Sequence, residues 1–408
     1  MLKRIPVDLL IPGMFISDIC GSWMEHPFWR TTFLLNDPQD IARLRECGIH
    51  EVWIDTSKGC DLKNPADLQV MEQDAVVAEI ERTLSEAAAA PAEGRYLMRE
   101  ELARASLLCD NARKAMMSMF SEARMGNAIR AGDVAPLVER IADSLQRNQS
   151  ALISLARLKT RDNYTYLHSV AVGALMMSLA RQLGLGEDAV REAGMAGLLH
   201  DLGKAAIPDA VLNKPGKLTD AEFEVIKSHP ERGHRMLSKS RGVSEVALDV
   251  CLRHHEKMDG TGYPGRFPAE KISLFARMGA VCDVYDAITS NRPYKSGWDP
   301  AESIRRMAEW CKGHFDERVF QAFVRCVGIY PVGSLVRLAS GRLGVVIEQG
   351  RDSLLKPTVK VFFSTRSNAH IAPEVMDLAR PGTADHIVST EPPEKWGFRQ
   401  LETLWQEG

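Results

Sequence analysis

Five histidines and two aspartates have the types and spacing that could bind metal ions. Each lies within, or at the end of, a segment whose apolar residues recur at helical spacing. Placing so many titratable groups in a helical interior costs free energy unless something pairs with them. A metal centre is the economical explanation, because it binds neutral imidazoles and ionised carboxylates together. The candidate ligands are His168, His200, Asp201, His229, His254, His255 and Asp283.

The number and chemistry of these ligands indicate which metals they would bind. Seven side chains exceed what one tetrahedral zinc ion accepts, and they suit two metals that share a bridging carboxylate. Ligation by imidazole and carboxylate favours first-row transition metals over calcium or magnesium. We therefore predict two divalent transition metals, for which iron, manganese and nickel all fit.

The stretch HHEKMDGTGYPG, from His254 to Gly265, continues from two of these histidines into a loop. Its glycines allow backbone conformations that other residues avoid, and Pro264 stiffens the turn. A structural loop would account for the glycines alone. Two adjacent histidines at a helix end, however, can both turn toward one site if the helix unwinds there.

Two motifs together resemble a known family. His200-Asp201 with Lys204, followed by HHEKMDGTGYP, is similar to the HD-GYP family of metal-dependent phosphodiesterases, whose pattern HHExxDGxGYP is met at every specified position. The resemblance covers about residues 150–330. It implies an all-helical HD-type domain that hydrolyses cyclic di-GMP to pGpG, with GMP as a further product. The first residues also resemble, less specifically, an accessory domain that precedes HD-GYP domains.

The resemblance also implies how the ligands divide between two metals. One metal would be bound by His168, His200, Asp201 and Asp283, and the other by Asp201, His229, His254 and His255. Asp201 would then bridge the pair. Some family members bind a third metal through a glutamate four residues before the first histidine. This chain has Tyr164 at that position, which favours two metals.

Further residues are implied as catalytic or substrate-binding. Lys204, beside the catalytic Asp201, would neutralise charge on the phosphate, although an exposed cation at a helix end is the alternative. Arg292 and Lys295 match the positions that contact phosphate and guanine. Asp286 would accept a hydrogen bond from a guanine, and an ordinary carboxylate on a helix face is the alternative. Tyr263 would contact a ligand, and packing within the protein is the alternative. We interpret Glu256 as a support for the ligands.

The segments that carry these residues predict a mainly α protein with four regions. Residues 1–62 read as a small mixed α/β accessory domain, with strands at 14–19 and 51–56 and a helix capped at Asp37 between them. The aromatic side chains Trp23, Phe28 and Trp29 would pack its core, and an exposed recognition patch is the alternative. A helical linker at 63–160, a helical catalytic domain at 161–330 and a β-rich region at 331–408 follow.

The sequence allows two roles for the helices of the predicted linker. Their apolar residues recur at helical spacing from about residue 98 to 158. Ordinary packing within one chain accounts for this pattern, and a dimerising helix pair is the alternative, which would make the protein a homodimer.

Composition excludes some classes of protein. A formal net charge of −3 rules out sequence-independent binding of duplex nucleic acid by a strongly basic protein. Eight scattered cysteines without a CxxC pair suit a reducing cytosol. The longest apolar run, residues 170–180, is too short to cross a bilayer. The sequence thus predicts a cytoplasmic protein without a membrane partner.

Cyclic di-GMP hydrolysis has two alternatives. The first is a slow or non-hydrolysing cyclic-dinucleotide sensor or scaffold, which would signal to GGDEF-domain partners through the Gly-Tyr-Pro loop. The second is an HD phosphohydrolase with another nucleotide substrate. The intact ligand set disfavours the sensor, and the loop with the NRPYK segment at 291–295 disfavours the simpler HD enzymes.

Overall fold

The computed structural model describes most of the chain. The described residues are 2–19, 32–46, 49, 51–62, 98–157, 164–214, 216, 218–290, 297–350, 353–398 and 401–406. Several residues singled out in the sequence lie outside them: Trp23, Phe28, Trp29, Arg292 and Lys295.

A small antiparallel sheet with one helix forms the N-terminal part. The strands pair in the order β1-β4-β2-β3. Asp37 caps the helix, because its Oδ1 accepts from the backbone N–H of Gln39 at 2.9 Å. The mixed α/β character predicted here is confirmed. The elements are β1 (Leu2–Pro6), β2 (Phe15–Ile19), β3 (Phe33–Leu34), α1 (Pro38–Glu46) and β4 (Glu51–Asp55).

Helices form the middle of the chain, as predicted. They are α2 (Met98–Arg124), α3 (Ala131–Arg147), α4 (Gln149–Arg157), α5 (Tyr164–Gln182), α6 (Glu187–Leu199), α7 (Asp209–Leu212), α8 (Asp220–Lys227), α9 (His229–Leu237), α10 (Glu245–Arg253), α11 (Leu274–Thr289), α12 (Pro300–Trp310) and α13 (Glu317–Val327). A 3-10 helix, Leu202–Ala206, follows α6.

Close packing of α5 against α6 forms the centre of this region. The side chains of α5 are buried almost all round, from Leu167 to Ala180, as its continuous apolar sequence predicts. Glycines let the two helices approach: a Cβ added at Gly197 would lie 2.7 Å from the Cα of Gly173. The first turns of α5 and the end of α6 carry His168 and His200, and this contact fixes both helices.

The helices predicted as a linker share the same core. The apolar face of α2, including Leu108 and Met116, belongs to one buried cluster with α5 and α6. A buried Glu101 on α2 accepts from Ser144 and Arg147 on α3 at 2.7–2.9 Å. Packing within one chain therefore accounts for the apolar faces of these helices.

A five-stranded antiparallel sheet follows the helices, in the order β8-β7-β6-β5-β9. Its elements are β5 (Leu335–Leu338), β6 (Arg342–Glu348), β7 (Thr358–Ser364), β8 (Ala369–Asp377), β9 (Ile387–Thr390) and a last helix, α14 (Glu402–Gln406). This sheet confirms the β-rich C-terminal region. Among the described helices, none combines the length and the apolar character needed to cross a membrane.

Candidate metal centre

The predicted ligands lie where helices begin, end or cross. His200 and Asp201 lie between the end of α6 and the 3-10 helix. His229 is the first residue of α9. His254 and His255 follow the last residue of α10, so the helix does unwind where the two imidazoles are adjacent. His168 and Asp283 project from the buried helices α5 and α11, which complete the set.

The first group of ligands surrounds one oxygen of Asp201. The Nε2 atoms of His168 and His200 each lie 3.4 Å from Asp201 Oδ2. The Oδ1 atom of Asp283 lies 2.9 Å from His168 Nε2 and 3.8 Å from His200 Nε2. Donor atoms that share one metal at about 2.1 Å lie roughly 3 Å apart, so these separations suit a common cation.

The second group faces the other oxygen of Asp201. His229 Nε2 lies 3.2 Å from Asp201 Oδ1, and His254 Nε2 lies 3.9 Å from the same oxygen. The two Nε2 atoms are 3.3 Å apart. His255 completes the group, and its Nδ1 lies 3.7 Å from Asp283 Oδ2. The two oxygens of Asp201 therefore point to two different sets of imidazoles.

Backbone carbonyls orient three of the histidines. His200 Nδ1 donates to Gly197 O at 2.7 Å, and His229 Nδ1 donates to Ile226 O at 2.8 Å. His254 Nδ1 lies 3.0 Å from Val250 O. A proton held on Nδ1 leaves the lone pair on Nε2, which faces the cluster. Each ring is therefore presented in the tautomer that a metal requires.

His168 is oriented by a carboxylate instead. Its Nδ1 donates to Asp286 Oδ2 at 2.6 Å, and both side chains are buried. The guanine contact predicted for Asp286 stays a prediction. Asp286 lies one helical turn after Asp283 on α11, and this face of the helix packs against α5 rather than facing open space. The geometry gives Asp286 the orienting contact of a carboxylate–histidine pair.

Replacing Asp286 with asparagine is expected to weaken metal binding by roughly 10–100-fold, because His168 loses its charged hydrogen-bond partner. Competition with a chelator would measure the affinity. Asp188→Asn, on the exposed face of α6, is the control. A variant that keeps its metal but has a raised KM would instead support the guanine contact.

Charges within the cluster shift the pKa values in opposite directions. Burial disfavours the charged form of His200, but Asp201 and Asp283 outweigh it and raise its pKa to about 10. Burial and the neighbouring His200 and His229 lower the pKa of His254 to about 3. Burial opposes ionisation of Asp201 as well, yet Lys204 and His200 hold its pKa well below the usual value. The carboxylates are therefore ionised, and they stabilise a second proton on His200, at Nε2, which a bound cation would displace.

Two buried atoms test whether the cluster fits a metal. His200 Nε2 and Asp201 Oδ1 make no hydrogen bond to any described residue, although both are buried. An unpaired polar atom at such depth is costly, and a coordinated cation removes that cost. Histidine and aspartate atoms within 4.8 Å of one another form groups that could hold a metal ion, one of them His229, His254 and His255. The donor set fits a metal centre.

Lys204 contacts the cluster from its edge. Its Nζ lies 2.5 Å from Asp201 Oδ2, and 18% of the side chain is exposed. The lysine therefore lies between the buried carboxylate and solvent. Arg292 and Lys295 fall outside the described residues, so their predicted contacts stay predictions.

A glycine that the sequence analysis did not single out brings His229 to the cluster. A Cβ at Gly203 would lie 1.9 Å from His229 O and 2.5 Å from Gly233 N. The 3-10 helix can therefore touch the start of α9 only because residue 203 has no side chain. The signal in the sequence is a glycine two residues after the His-Asp pair.

Gly203→Ala is expected to push α9 away and to lower the metal content. The overpacked contact should also lower the free energy of unfolding by about 1–3 kcal/mol. Metal analysis and a melting curve would measure the two effects. Gly132→Ala on α3 is the matched control, since an added Cβ there meets nothing within 4 Å. Unchanged metal content in the Gly203 variant would contradict this account.

Glu256 supports the Gly-Tyr-Pro loop rather than a histidine directly. Its buried carboxylate accepts from the backbone N–H of Gly265 at 2.6 Å and of Phe267 at 3.1 Å. The loop closes tightly because a Cβ at Gly262 would lie 2.5 Å from the backbone of residues 255–257. Tyr263 stacks on His255, with ring centroids 4.6 Å apart. The tyrosine thus packs on a predicted ligand.

The helical fold and the buried histidine–aspartate cluster define an HD-type metal-binding protein. Residues 136–319 match the family described as HD domain, and members of that family depend on metals. Residues 2–134 match a domain of unknown function. This match covers the region predicted as an accessory domain, 1–62, and extends through most of the predicted linker, 63–160.

Relatives define the family more narrowly. The chain is 57% identical over 406 residues to a protein named cyclic di-GMP phosphodiesterase from Pseudomonas aeruginosa, covering 99% of this chain and 96% of the relative. The chain is 42% identical to a cyclic di-GMP phosphodiesterase response regulator from Xanthomonas campestris. That match covers 44% of this chain and 48% of the relative. The chain is also 35% identical to a 3'3'-cGAMP-specific phosphodiesterase from Vibrio cholerae. That match covers 45% of this chain and 36% of the relative's length. The chain belongs to the HD-GYP family.

Proposed function

We propose that this protein is a metal-dependent phosphodiesterase that hydrolyses cyclic di-GMP to pGpG. The observation that carries the proposal is the cluster itself, in which the two oxygens of one buried aspartate face two sets of imidazoles. The names of relatives that match the chain, at 57% and 42% identity, give the same substrate. A further step to GMP would use the same centre.

Two divalent metals are proposed to share Asp201. His168, His200 and Asp283 would bind one of them, and His229, His254 and His255 the other. α5 begins at Tyr164, so the position one turn before His168 carries no carboxylate for a third metal. When bound, such a pair lowers the pKa of a shared water and stabilises charge on the phosphate. Iron, manganese and nickel all suit these ligands.

The chain's own residues would bind and orient the substrate. Lys204 would exchange part of its contact with Asp201 for a non-bridging phosphate oxygen, since its Nζ lies at the solvent side of the cluster. Arg292 would contact phosphate or a guanine edge through its planar fork, and Lys295 would add a point charge. The stacking of Tyr263 on His255 holds the loop over the site.

Hydrolysis of labelled cyclic di-GMP by anaerobically purified protein, with elemental analysis of the same sample, tests the proposal. We expect about two transition-metal ions per chain and conversion to pGpG that a chelator stops. Tight binding with negligible turnover would instead identify a sensor. Metal-loaded protein that leaves cyclic di-GMP intact while cutting another nucleotide would contradict the substrate.

A hybrid cyclic dinucleotide is the competing substrate, because a relative at 35% identity is named for 3'3'-cGAMP. The higher identity and near-complete coverage of the Pseudomonas relative favour cyclic di-GMP. A competition assay with both dinucleotides at equal concentration distinguishes them, since the ratio of kcat/KM values reports the preference directly.

Partners other than the substrate stay predictions. The loop from Asp259 to Phe267 exposes Gly265 and Arg266, which is where a GGDEF-domain partner would dock. A homodimer and a cytosolic location are likewise predicted. Pull-down with a GGDEF protein, and light scattering of the purified chain, would test the first two.

A further inference from the structure

A cavity of about 750 Å³ lies outside the metal centre, between the end of α2 and the face of α9. This volume is within the range of small-molecule sites. One wall is the turn that follows α2, at Gly126, Asn127 and Ala128, and the opposite wall is α9 with the residues after it. The metal ligands are not among its lining residues.

Contacts before and after the turn connect it to neighbouring elements. Before the turn, Arg124 Nη1 lies 2.9 Å from Asp209 Oδ2 on α7, which is not part of either wall. After it, the backbone N–H of Ile129 donates to Ser240 Oγ at 3.2 Å, and Arg130 pairs with Arg241 in a short β-bridge. The cavity is therefore built into the fold.

The lining carries an excess of positive charge. Arg232, Arg235 and Lys239 line the cavity with Glu231 as the acidic residue. The three cations are three and four residues apart, so they share one side of α9 and its extension. By the same spacing Glu231, four residues before Arg235, lies on this side too, which leaves two positive charges in excess. Arg232 Nη1 donates to Ala206 O at 2.8 Å, which fixes its guanidinium in the wall. Arg235 and Lys239 are exposed at the mouth of the cavity, and neither makes an ion pair to a residue in the described part of the chain.

Small apolar side chains complete the lining. Ala123, Ala128, Ala206 and Met236 offer a surface without bulky groups beside the cations. Unpaired cations next to an apolar wall suit a ligand with a phosphate group and a flat ring, because each part meets a complementary surface.

We propose that this cavity is a second ligand site, which binds a small phosphate-bearing ligand of mononucleotide size. Arg235 and Lys239 bind the phosphate, and the alanines and Met236 contact the ring. α9 also begins at His229, whose Nε2 lies 3.2 Å from Asp201 Oδ1, so the ligand rests on the helix that supplies one residue of the cluster. The site requires no metal and does not depend on the proposed hydrolysis.

Calorimetric titration of the full chain with GMP tests the proposal. The titration is done on the protein as purified and again on Asp201→Asn, which removes binding at the metal centre. We expect saturable binding in both, weakened at least about tenfold by Arg235→Glu with Lys239→Glu. Arg318→Glu with Lys356→Glu is the control, because it makes the same charge change at exposed positions outside the cavity.

A second variant keeps the charges and fills the space. Ala128→Trp should also weaken GMP binding about tenfold, and melting curves would show that each variant is folded. Inorganic phosphate should bind more weakly than GMP, and guanosine should fail to bind. Binding of GMP that neither variant changes, or no saturable binding to the parent protein up to about 5 mM, would overturn the proposal.

Discussion

Asp201→Asn is expected to lose most of the bound transition metal and to lower kcat/KM for cyclic di-GMP by at least about 1000-fold. The change is nearly isosteric, but it removes the negative charge and turns one oxygen into an N–H donor. Oδ1 faces His229, and Oδ2 faces His168 and His200. Either orientation of the amide therefore removes the aspartate oxygen from one of these two sets of ligands. Elemental analysis and steady-state rates measure the two effects.

The matched control for this variant is Asp385→Asn. Asp385 is also a largely buried aspartate, and it pairs with Arg342 at 3.2 Å in the C-terminal sheet. Both variants lose a charge-assisted contact, so a loss of activity in Asp385→Asn would point to general destabilisation. Retention of metal and of rate within about threefold in Asp201→Asn would contradict a bridging role for the aspartate.

Much of the histidine–aspartate cluster could be predicted from the sequence, because several of its signals are local. His200 and Asp201 end an apolar helix, and His254 and His255 precede a glycine-rich loop that cannot be helical. For these residues the type of side chain and its position at a helix end indicate a site, since such groups are buried only when something pairs with them. His168 and Asp283 lie inside α5 and α11, where position alone gives no such signal. The mainly α fold and the β-rich C-terminal region followed from apolar periodicity in the same way.

The contacts that orient the ligands could not be predicted, because they depend on which helix faces which. Spacing on α11 places Asp286 on the face of Asp283, but it does not reveal that this face meets His168. Glu256 follows His255 directly, which suggested support for a ligand. Its carboxylate instead binds amides nine and eleven residues further along the chain. The close approach at Gly203 is likewise a tertiary contact.

Lys204→Met is expected to lower kcat by about 10²–10³-fold while leaving the metal content unchanged. Methionine keeps the length and the apolar stem of lysine, so that the packing beside Asp201 is retained and only the charge is lost. The Nζ atom is the part of the side chain that reaches both Asp201 and solvent. Its loss therefore acts on the charge that develops on the phosphate, and it should reduce kcat more than it raises KM.

Lys214→Met is the matched control, because Lys214 makes a similar pair with Glu222 at 2.6 Å outside the cluster. If Lys204→Met loses metal together with activity, the lysine acts by holding Asp201 rather than by binding phosphate. If it keeps its rate, Lys204 is an exposed cation at a helix end and nothing more. Preserved metal with a lowered kcat is the one result that assigns the positive charge to the reaction itself, since a lysine that only stabilised the fold would leave the rate per metal-loaded molecule unchanged.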